Sequence, residues 1–179
     1  MSTRRPAVPR SPAGPAPQAF AHRNLPLLLL QARERVISRF RPLLNAHGVT
    51  EQQWRIVRAL HDGGAMEPRQ IVSRCHISSP SLAGVLARMD ELGLVQRERL
   101  AHDQRRVMVT LTDRSRALVA AMAPQVEALY QGIEAHIGAE FIGGFYAALD
   151  ELIGMLDALP PLASPQAAKA WHGARQDAQ

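Results

Sequence analysis

Arginine provides nearly all of the positive charge in this chain, and its placement points to phosphate or base recognition. The 179 residues carry a formal net charge of +5, and Lys169 is the one lysine. Nine arginines lie between Arg69 and Arg116 against five acidic residues, whereas neither lysine nor arginine occurs from Ala117 to Pro160. Guanidinium groups donate paired hydrogen bonds to phosphate or guanine, although a GC-rich genome would also favour arginine over lysine. One end of the protein is therefore expected to face phosphate.

A second group of side chains with possible chemistry is Trp54, Arg58 and His61, spaced i, i+4 and i+7 along one edge of a helix. An aromatic plane, a fixed cation and a titratable donor can together hold an aromatic carboxylate, with its ring on Trp54 and its carboxylate on Arg58. Arg35 or Arg39 of the preceding helix can add a second charge. The alternative is that Trp54 is a core residue and that Arg58 and His61 are solvated or pair between subunits.

Cys75 is the single cysteine, so an intrachain disulfide is impossible and nothing indicates secretion. It lies between Arg74 and His76, two cations that would lower its pKa if the thiol were exposed. One interpretation is therefore a redox-sensing regulator that uses Cys75. The other is a small residue packed beneath a turn.

The sequence contains no pattern that indicates a metal site, a cofactor or catalysis. Its seven histidines are scattered and lack the H-x3-H or C-x2-C spacing of metal ligands. It also lacks a glycine-rich phosphate loop, a nucleophile elbow and a paired acid and base. We therefore predict no metal, no cofactor and no enzymatic activity.

The segment from Ser79 to Gly93 is predicted to be a helix with one buried face. Ser79 acts as a cap residue, Pro80 occupies the first turn, and Gly93 closes the helix. One continuous apolar arc is expected to face the core and consists of Leu82, Val85, Leu86, Met89 and Leu92.

Ser81, Gly84 and Arg88 lie away from this arc at i, i+3 and i+7. Small residues near the start of a helix allow close approach to base edges, and Arg88 can reach a guanine or a phosphate. Gly84 costs about 1 kcal/mol relative to alanine, which favours a face that something approaches closely. The alternative is that Gly84 is neutral drift on a solvated surface.

A basic β-hairpin, here called the wing, is predicted to follow this helix. Alternating residues indicate strands at about Val95–Leu100 and Val107–Leu111, with the turn at 102–105. Asp103 can accept a hydrogen bond at the turn, either from the backbone or from an arginine. Four arginines are expected to project from the wing: Arg97, Arg99, Arg105 and Arg106.

The helix that begins at Pro68, the helix after it and the wing together form a winged helix-turn-helix pattern. This order is typical of proteins that bind duplex DNA, because the second helix fits the major groove and a ribbon reaches the backbone or minor groove beside it. A charged hairpin can also be a solubilising edge. A helical protein-interaction module, whose wing binds an acidic protein, is the rival from another class.

The remaining elements are predicted to be helices. The first runs from about Asn24 to Ala46 with a bend or break before Pro42, and the second starts with a capping box at Thr50 and Gln53. Gly48 is predicted to end the first helix, and Gly63-Gly64 the second. Thr112 is predicted to cap a long fifth helix with a kink at Pro124, and the last helix covers about 140–159.

We therefore expect a mainly α fold with a small β wing. A winged helix-turn-helix DNA-binding domain at 49–112 is combined with a helical dimerisation region at 24–48 and 113–160. Residues 1–23 carry five prolines, four arginines and no acid, which predicts a disordered basic arm, and 161–179 form a loose tail. The apolar run LPLLLL is too short for a bilayer, so no membrane association and a cytoplasmic location are expected.

These features resemble the MarR family of bacterial winged-helix repressors. The resemblance covers about 24–159 and rests on the segment SSPSLAGVLARMDELGLVQRE, the wing motif HDQRRVMVTLT and the two long closing helices. The D-x-R signature of the wing is matched by Asp103 and Arg105, and VTEQQW is similar to the HpaR-like branch, which is associated with aromatic-acid catabolism.

The resemblance implies how the protein works. It implies a homodimer built by the first, fifth and sixth helices, a pseudo-palindromic double-stranded DNA operator, and a small aromatic carboxylate effector that relieves DNA binding. It also implies that the DNA contacts of the recognition helix fall between Ser78 and Arg88, with Ser78 and Ser79 among them, and that Arg105 is the wing arginine.

Overall fold

The computed structural model describes residues 20–100 and 103–160, which form six α-helices and one two-stranded antiparallel sheet. The predicted basic arm before residue 20, the tail after 160 and His102 of the wing turn lie outside the described residues. The mainly α fold with a small β wing is confirmed. The elements are α1 (Leu25–Ala46), α2 (Glu51–Gly63), α3 (Pro68–Cys75), α4 (Ser79–Glu91), β1 (Val95–Leu100), β2 (Asp103–Leu111), α5 (Asp113–Ile137) and α6 (Ala139–Asp157).

The chain divides after Pro42 into two compact units, and α1 runs past this boundary to Ala46. Asn24 caps α1 as predicted, because its Oδ1 accepts a hydrogen bond from Leu27 N at 3.0 Å. The break expected before Pro42 does not occur, since α1 is continuous through it. Proline removes one backbone donor, and the residue one turn earlier, Ser38, is exposed, so water can bond its carbonyl.

The core of the second unit collects one fully buried side chain from each of five elements. These residues are Ile56 of α2, Ile71 of α3, Met89 of α4, Val109 of β2 and Met122 of α5. Leu82 and Leu86 of α4 are buried beside them, so three of the five residues of the predicted apolar arc are buried, and Val85 and Leu92 are half-buried. Burial of such side chains contributes about 1.5–3 kcal/mol each, so the arc fixes which face of α4 remains exposed.

Local capping motifs define several of the helix ends. Thr50 Oγ1 accepts from Gln53 N at 3.2 Å, and Gln53 Oε1 accepts from Thr50 N at 2.8 Å, so the predicted capping box is confirmed. Gly93 closes α4 in the left-handed region, at φ 65°. The predicted start of α4 is wrong by one residue: Ser78 has the extended backbone of the cap, and Ser79 is already helical.

The wing is an antiparallel ladder that runs from Val95 opposite Leu111 to Arg99 opposite Val107, with an irregularity after Arg99. The predicted extent of β1 is confirmed, but β2 begins at Asp103 rather than at Val107. The turn placed at 102–105 is therefore wrong in extent. β2 extends past Val107 because Asp103 pairs with Leu100 beyond the irregularity, and the register passes over 104–106 as a bulge.

The start of α5 is joined to the end of α4 and the start of β1. Thr112 Oγ1 accepts from Ser115 N at 3.2 Å, as a cap residue should, and its hydroxyl donates to the carbonyl of Gly93 at 2.6 Å. The hydroxyl of Ser115, which is fully buried, donates to the carbonyl of Leu94. The position of the α4 terminus is thereby fixed relative to α5.

The last two helices differ from the rest in exposure. Pro124 lies inside an α5 that stays helical throughout. Within α6 no residue is buried, although its side chains are strongly apolar. Phe141 and Phe145 stack with ring centroids 6.3 Å apart, yet both remain exposed. In the described part of the chain, no helix has the length and apolar character needed to cross a bilayer.

Candidate nucleic-acid interface

The face of α4 opposite its buried arc is open and polar. Ser78, Ser79, Ser81 and Arg88 are all exposed there. The hydroxyl of Ser78 donates to Ser81 Oγ at 2.8 Å, which links the cap residue to the first turn. A Cβ added at Gly84 would meet nothing within 4 Å, so the packing of the described chain does not require glycine at this position. The helix therefore presents small side chains that let a partner approach closely.

Arg88 is held only loosely by its neighbour. Its Nη1 donates to Glu91 Oε2 at 2.9 Å, and both side chains are 64% exposed. Exposed pairs of this kind contribute about 0.2–1 kcal/mol, which is less than a paired guanidinium–guanine contact provides. Arg88 can consequently exchange Glu91 for a base edge or phosphate at little cost.

Replacement of the exposed side chains of α4 tests base recognition. We expect Arg88→Ala and Ser81→Ala to narrow the affinity gap between specific and random DNA, with a loss of about 1–3 kcal/mol for a true bidentate base contact. Competition binding with both duplexes at fixed salt measures this gap. Glu91→Gln is the control, because it frees Arg88 without removing it. If the variants lose specific and random binding equally, these residues contact phosphates only.

Two of the four wing arginines are engaged in ion pairs within the chain. Arg97 donates from Nε and Nη2 to Asp90 Oδ2 at 3.1 and 2.7 Å, which joins β1 to the end of α4. Arg106 donates from Nε to Glu67 Oε1 at 2.5 Å, which joins β2 to the start of α3. Both arginines therefore attach the wing to the helices beside it.

The other two wing arginines, Arg99 and Arg105, are exposed, and neither side chain has a hydrogen bond or ion pair within the described residues. Asp103 Oδ1 accepts from the backbone N–H of Arg105 at 3.0 Å, which confirms that Asp103 accepts a bond near the turn. This bond orients the start of β2. The sequence pattern predicted the same role for all four arginines. In the structure, Arg97 and Arg106 pair with acids of the helices, whereas Arg99 and Arg105 have no such partner among the described residues.

Cys75 lies at the end of α3 and is 1% exposed. Its thiol is 3.7 Å from the carbonyl of Arg55, and Arg55 Nη1 donates to the carbonyl of Cys75 at 2.9 Å. Burial raises the pKa of the Cys75 thiol, more than the nearby Arg55 and Arg74 lower it. A thiol with a raised pKa is poorly ionised at neutral pH, so the structure favours the packed residue over the redox sensor. The described residues also contain no cluster of potential metal ligands.

The predicted effector residues occupy different environments. Trp54 is buried, with 9% of its surface exposed, so little of its ring is open to stacking. Arg58 and His61 are exposed on the same helix, and Arg58 Nη2 lies 3.9 Å from Asp62 Oδ2. Arg35 and Arg39 are exposed on α1, in the first unit.

Tyr130 lies on α5, which packs against α2, and no sequence pattern had connected it with Arg58. Burial raises the pKa of Tyr130, the adjacent Tyr146 of α6 raises it further, and the charge of Arg58 lowers it. The three residues lie on helices that contact one another, since α5 packs against both α2 and α6. No spacing rule connects residues on three separate helices, so the sequence alone gave no signal for this arrangement.

Comparisons with known proteins agree on one family. A profile of the MarR family matches residues 47–106. The homoprotocatechuate degradative operon repressor of Escherichia coli is 41% identical over 134 residues, which cover 75% of this chain and 90% of that protein. The HTH-type transcriptional regulator FarR of Neisseria gonorrhoeae is 36% identical over 143 residues, which cover 80% and 98%. Both relatives are regulators rather than enzymes.

The fold is also shared with solved structures. The crystal structure of NadR in complex with 4-hydroxyphenylacetate matches with a TM-score of 0.68 and 34% identity. The match covers 81% of this chain and all of that one. The similarity therefore extends beyond the helix-turn-helix to the long closing helices.

Proposed function

Since this chain belongs to the MarR family and is a MarR-type transcriptional repressor, we propose that it binds a pseudo-palindromic operator as a homodimer and is released by a small aromatic carboxylate. The observation that carries the DNA-binding part is the division of the wing arginines. Arg99 and Arg105 are exposed on the wing that follows α4, while Arg97 and Arg106 are paired with acids of the neighbouring helices. Direct base contacts come from α4 and backbone contacts from the wing.

The homodimer is supported by the exposure of α6. Its large side chains Phe141, Tyr146, Ile153 and Met155 are each more than half exposed, although monomeric proteins rarely leave so much contiguous apolar surface open to water. A second copy of the chain is the partner that would cover it, as the family resemblance implies. Burial of two such faces brings two copies of α4 to one operator.

The effector is proposed to be an aromatic carboxylate because α2, which carries the exposed Arg58, packs against α5 with Tyr130, and α5 packs against α6 with Tyr146. Arg58 lies on α2, its ion pair with Asp62 is weak, and its charge lowers the pKa of Tyr130. A carboxylate can pair with the guanidinium, and an aromatic ring can pack against the tyrosines and the accessible edge of Trp54. Arg35, Arg39 and His61 are retained as further candidates. The complex of NadR with 4-hydroxyphenylacetate supports this ligand class.

Replacement of Arg58 separates ligand response from DNA binding. We expect Arg58→Ala to weaken binding of 4-hydroxyphenylacetate at least about tenfold, since a charge-assisted pair is lost, and to leave ligand-free DNA binding unchanged. Calorimetry measures the first quantity and fluorescence anisotropy the second. In the wild type the ligand is expected to lower DNA affinity partially, because it shifts the equilibrium only by its differential affinity for the two conformations.

The matched control for this experiment is Asp62→Asn, which removes the weak partner of Arg58 and should preserve the response. Hydroxybenzoates and pyridine carboxylates extend the ligand panel. A normal response in Arg58→Ala would place the effector site elsewhere.

Genome-wide capture of bound DNA, with and without these acids, tests the operator. Recovery of one palindrome, lost on addition of a ligand, is the expected result. An interaction module for an acidic protein would enrich no sequence, because such a partner offers no base edges.

A further inference from the structure

Glu67 is a buried acid on the basic side of the molecule. It is 8% exposed and stands immediately before α3. Its Oε1 accepts from Arg106 Nε at 2.5 Å and also contacts Arg106 Nη2, while its Oε2 lies 2.8 Å from Arg69 Nε. One carboxylate therefore orients two arginines that belong to different elements, the wing and α3.

The wing meets this part of the chain at a second point. Met66 and Val109 form a β-bridge in which each backbone N–H donates to the other residue's carbonyl, at 3.1 and 2.8 Å. The bridge holds β2 against the segment before α3. The contact from Glu67 to Arg106 is a second attachment of β2 to that segment and lies further towards the tip of the wing. Arg105, which carries no such contact, is the next residue along the strand.

Glu67, Arg69, Arg105 and Arg106 line one open hollow beside the wing. If this surface faces phosphate, a carboxylate within it repels the ligand, and electrostatics alone would favour its absence. An acid that is buried, paired twice and located in such a surface has a role that its charge does not explain. That role is geometric, because the carboxylate is the common acceptor for both guanidinium groups.

We propose that Glu67 is a positioning residue for DNA binding, which fixes the angle of the wing through Arg106 and so places Arg105 against the operator. The inference rests on the proposed DNA contact of the wing. It predicts the direction in which DNA affinity changes: removal of the negative charge of Glu67 should weaken DNA binding, whereas a purely electrostatic effect would strengthen it.

The test measures the affinity of the full-length protein for a captured operator fragment by fluorescence anisotropy. Glu67→Gln is expected to bind about tenfold more weakly, the equivalent of one charge-assisted hydrogen bond. The matched control is Glu98→Gln, which removes an exposed acid from β1 and should leave affinity unchanged or raise it. Binding by Glu67→Gln as tight as that of the wild type, or tighter, overturns the proposal. Failure of the wild type to bind any captured fragment would instead contradict the proposed function.

Two further variants separate positioning from the stability of α3. Gln70 Oε1 accepts from Glu67 N at 2.8 Å, so Gln70→Ala opens the capping box and leaves the carboxylate in place. It should retain operator affinity; an equal loss would show that helix capping is responsible. Glu67→Asp keeps the charge and a good cap residue but is one methylene shorter, so it should fold normally and still bind more weakly. Wild-type affinity in Glu67→Asp would contradict the geometric role, whether or not Glu67→Gln folds.

A double-mutant cycle identifies the path of the effect. Arg106→Gln should weaken binding to a similar degree, and Glu67→Gln added to it should cause no further loss. Additive losses would mean that Glu67 does not act through Arg106.

Discussion

Arg105→Ala is expected to lower operator affinity about ten- to a hundredfold while the dimer and its thermal unfolding stay unchanged. The side chain is exposed and has no partner within the described residues, so its removal costs the folded protein little. Its backbone is nevertheless ordered, since Asp103 accepts a hydrogen bond from its N–H. A guanidinium on an ordered strand loses less conformational freedom when it binds. Fluorescence anisotropy at fixed salt, with differential scanning calorimetry on the same samples, measures both quantities.

Arg114→Ala is the control for Arg105→Ala. Arg114 is also exposed, but it lies on α5 rather than on the wing, and its loss changes the net charge equally. If the two variants bind alike, the effect is general attraction to DNA and not a wing contact. Wild-type affinity in Arg105→Ala would exclude the wing from DNA binding.

Phe145→Glu is expected to convert the dimer to monomers and to lower operator affinity more than about a hundredfold, because two linked half-site contacts become independent. Phe145 stacks on Phe141 and is 41% exposed in the single chain, so a charge there should disturb the interface far more than the fold. Sedimentation velocity measures the oligomeric state, and circular dichroism checks that helicity persists.

The control for the interface variant is Glu140→Gln, which alters the charge of the same helix without adding a group that must be desolvated. It should remain dimeric. A Phe145→Glu protein that sediments as a dimer would place the interface elsewhere. A folded monomer that binds the palindrome as tightly as the wild type would contradict the need for two subunits.

The elements of this fold were predictable where a local rule decides the outcome. The capping box at Thr50 and Gln53 and the left-handed glycine at Gly93 are short-range hydrogen-bonding devices that sequence spacing reveals. The apolar arc of α4 was predictable for the same reason, because helical periodicity alone selects its buried face. Of the bend or break predicted before Pro42, the break does not occur, because one missing donor at an exposed position does not end a helix.

The parts of the candidate site that escaped prediction depend on contacts between distant residues. Arg106 donates a hydrogen bond to Glu67, which is distant in the sequence, and the charge of Arg58 acts on Tyr130 of another helix. Such pairs have no spacing signature. The sequence therefore predicted which arginines lie on the wing. It could not predict which of them form ion pairs within the chain and which have none among the described residues. The amphipathic pattern around Trp54 likewise could not tell how much of the indole faces the core.

The hydroxyls of Thr112 and Ser115, which bind the carbonyls of Gly93 and Leu94, have a consequence for operator choice. Because these hydrogen bonds join the end of α4 to the start of α5, we expect α4 of the proposed homodimer to move with α5 rather than alone when a half-site is displaced. One inserted base pair rotates the second half-site by about 34° around the duplex. Helices α4 and α5 would have to turn together to follow it. The proposed homodimer would then discriminate the rotational spacing of its two half-sites as well as their base sequence.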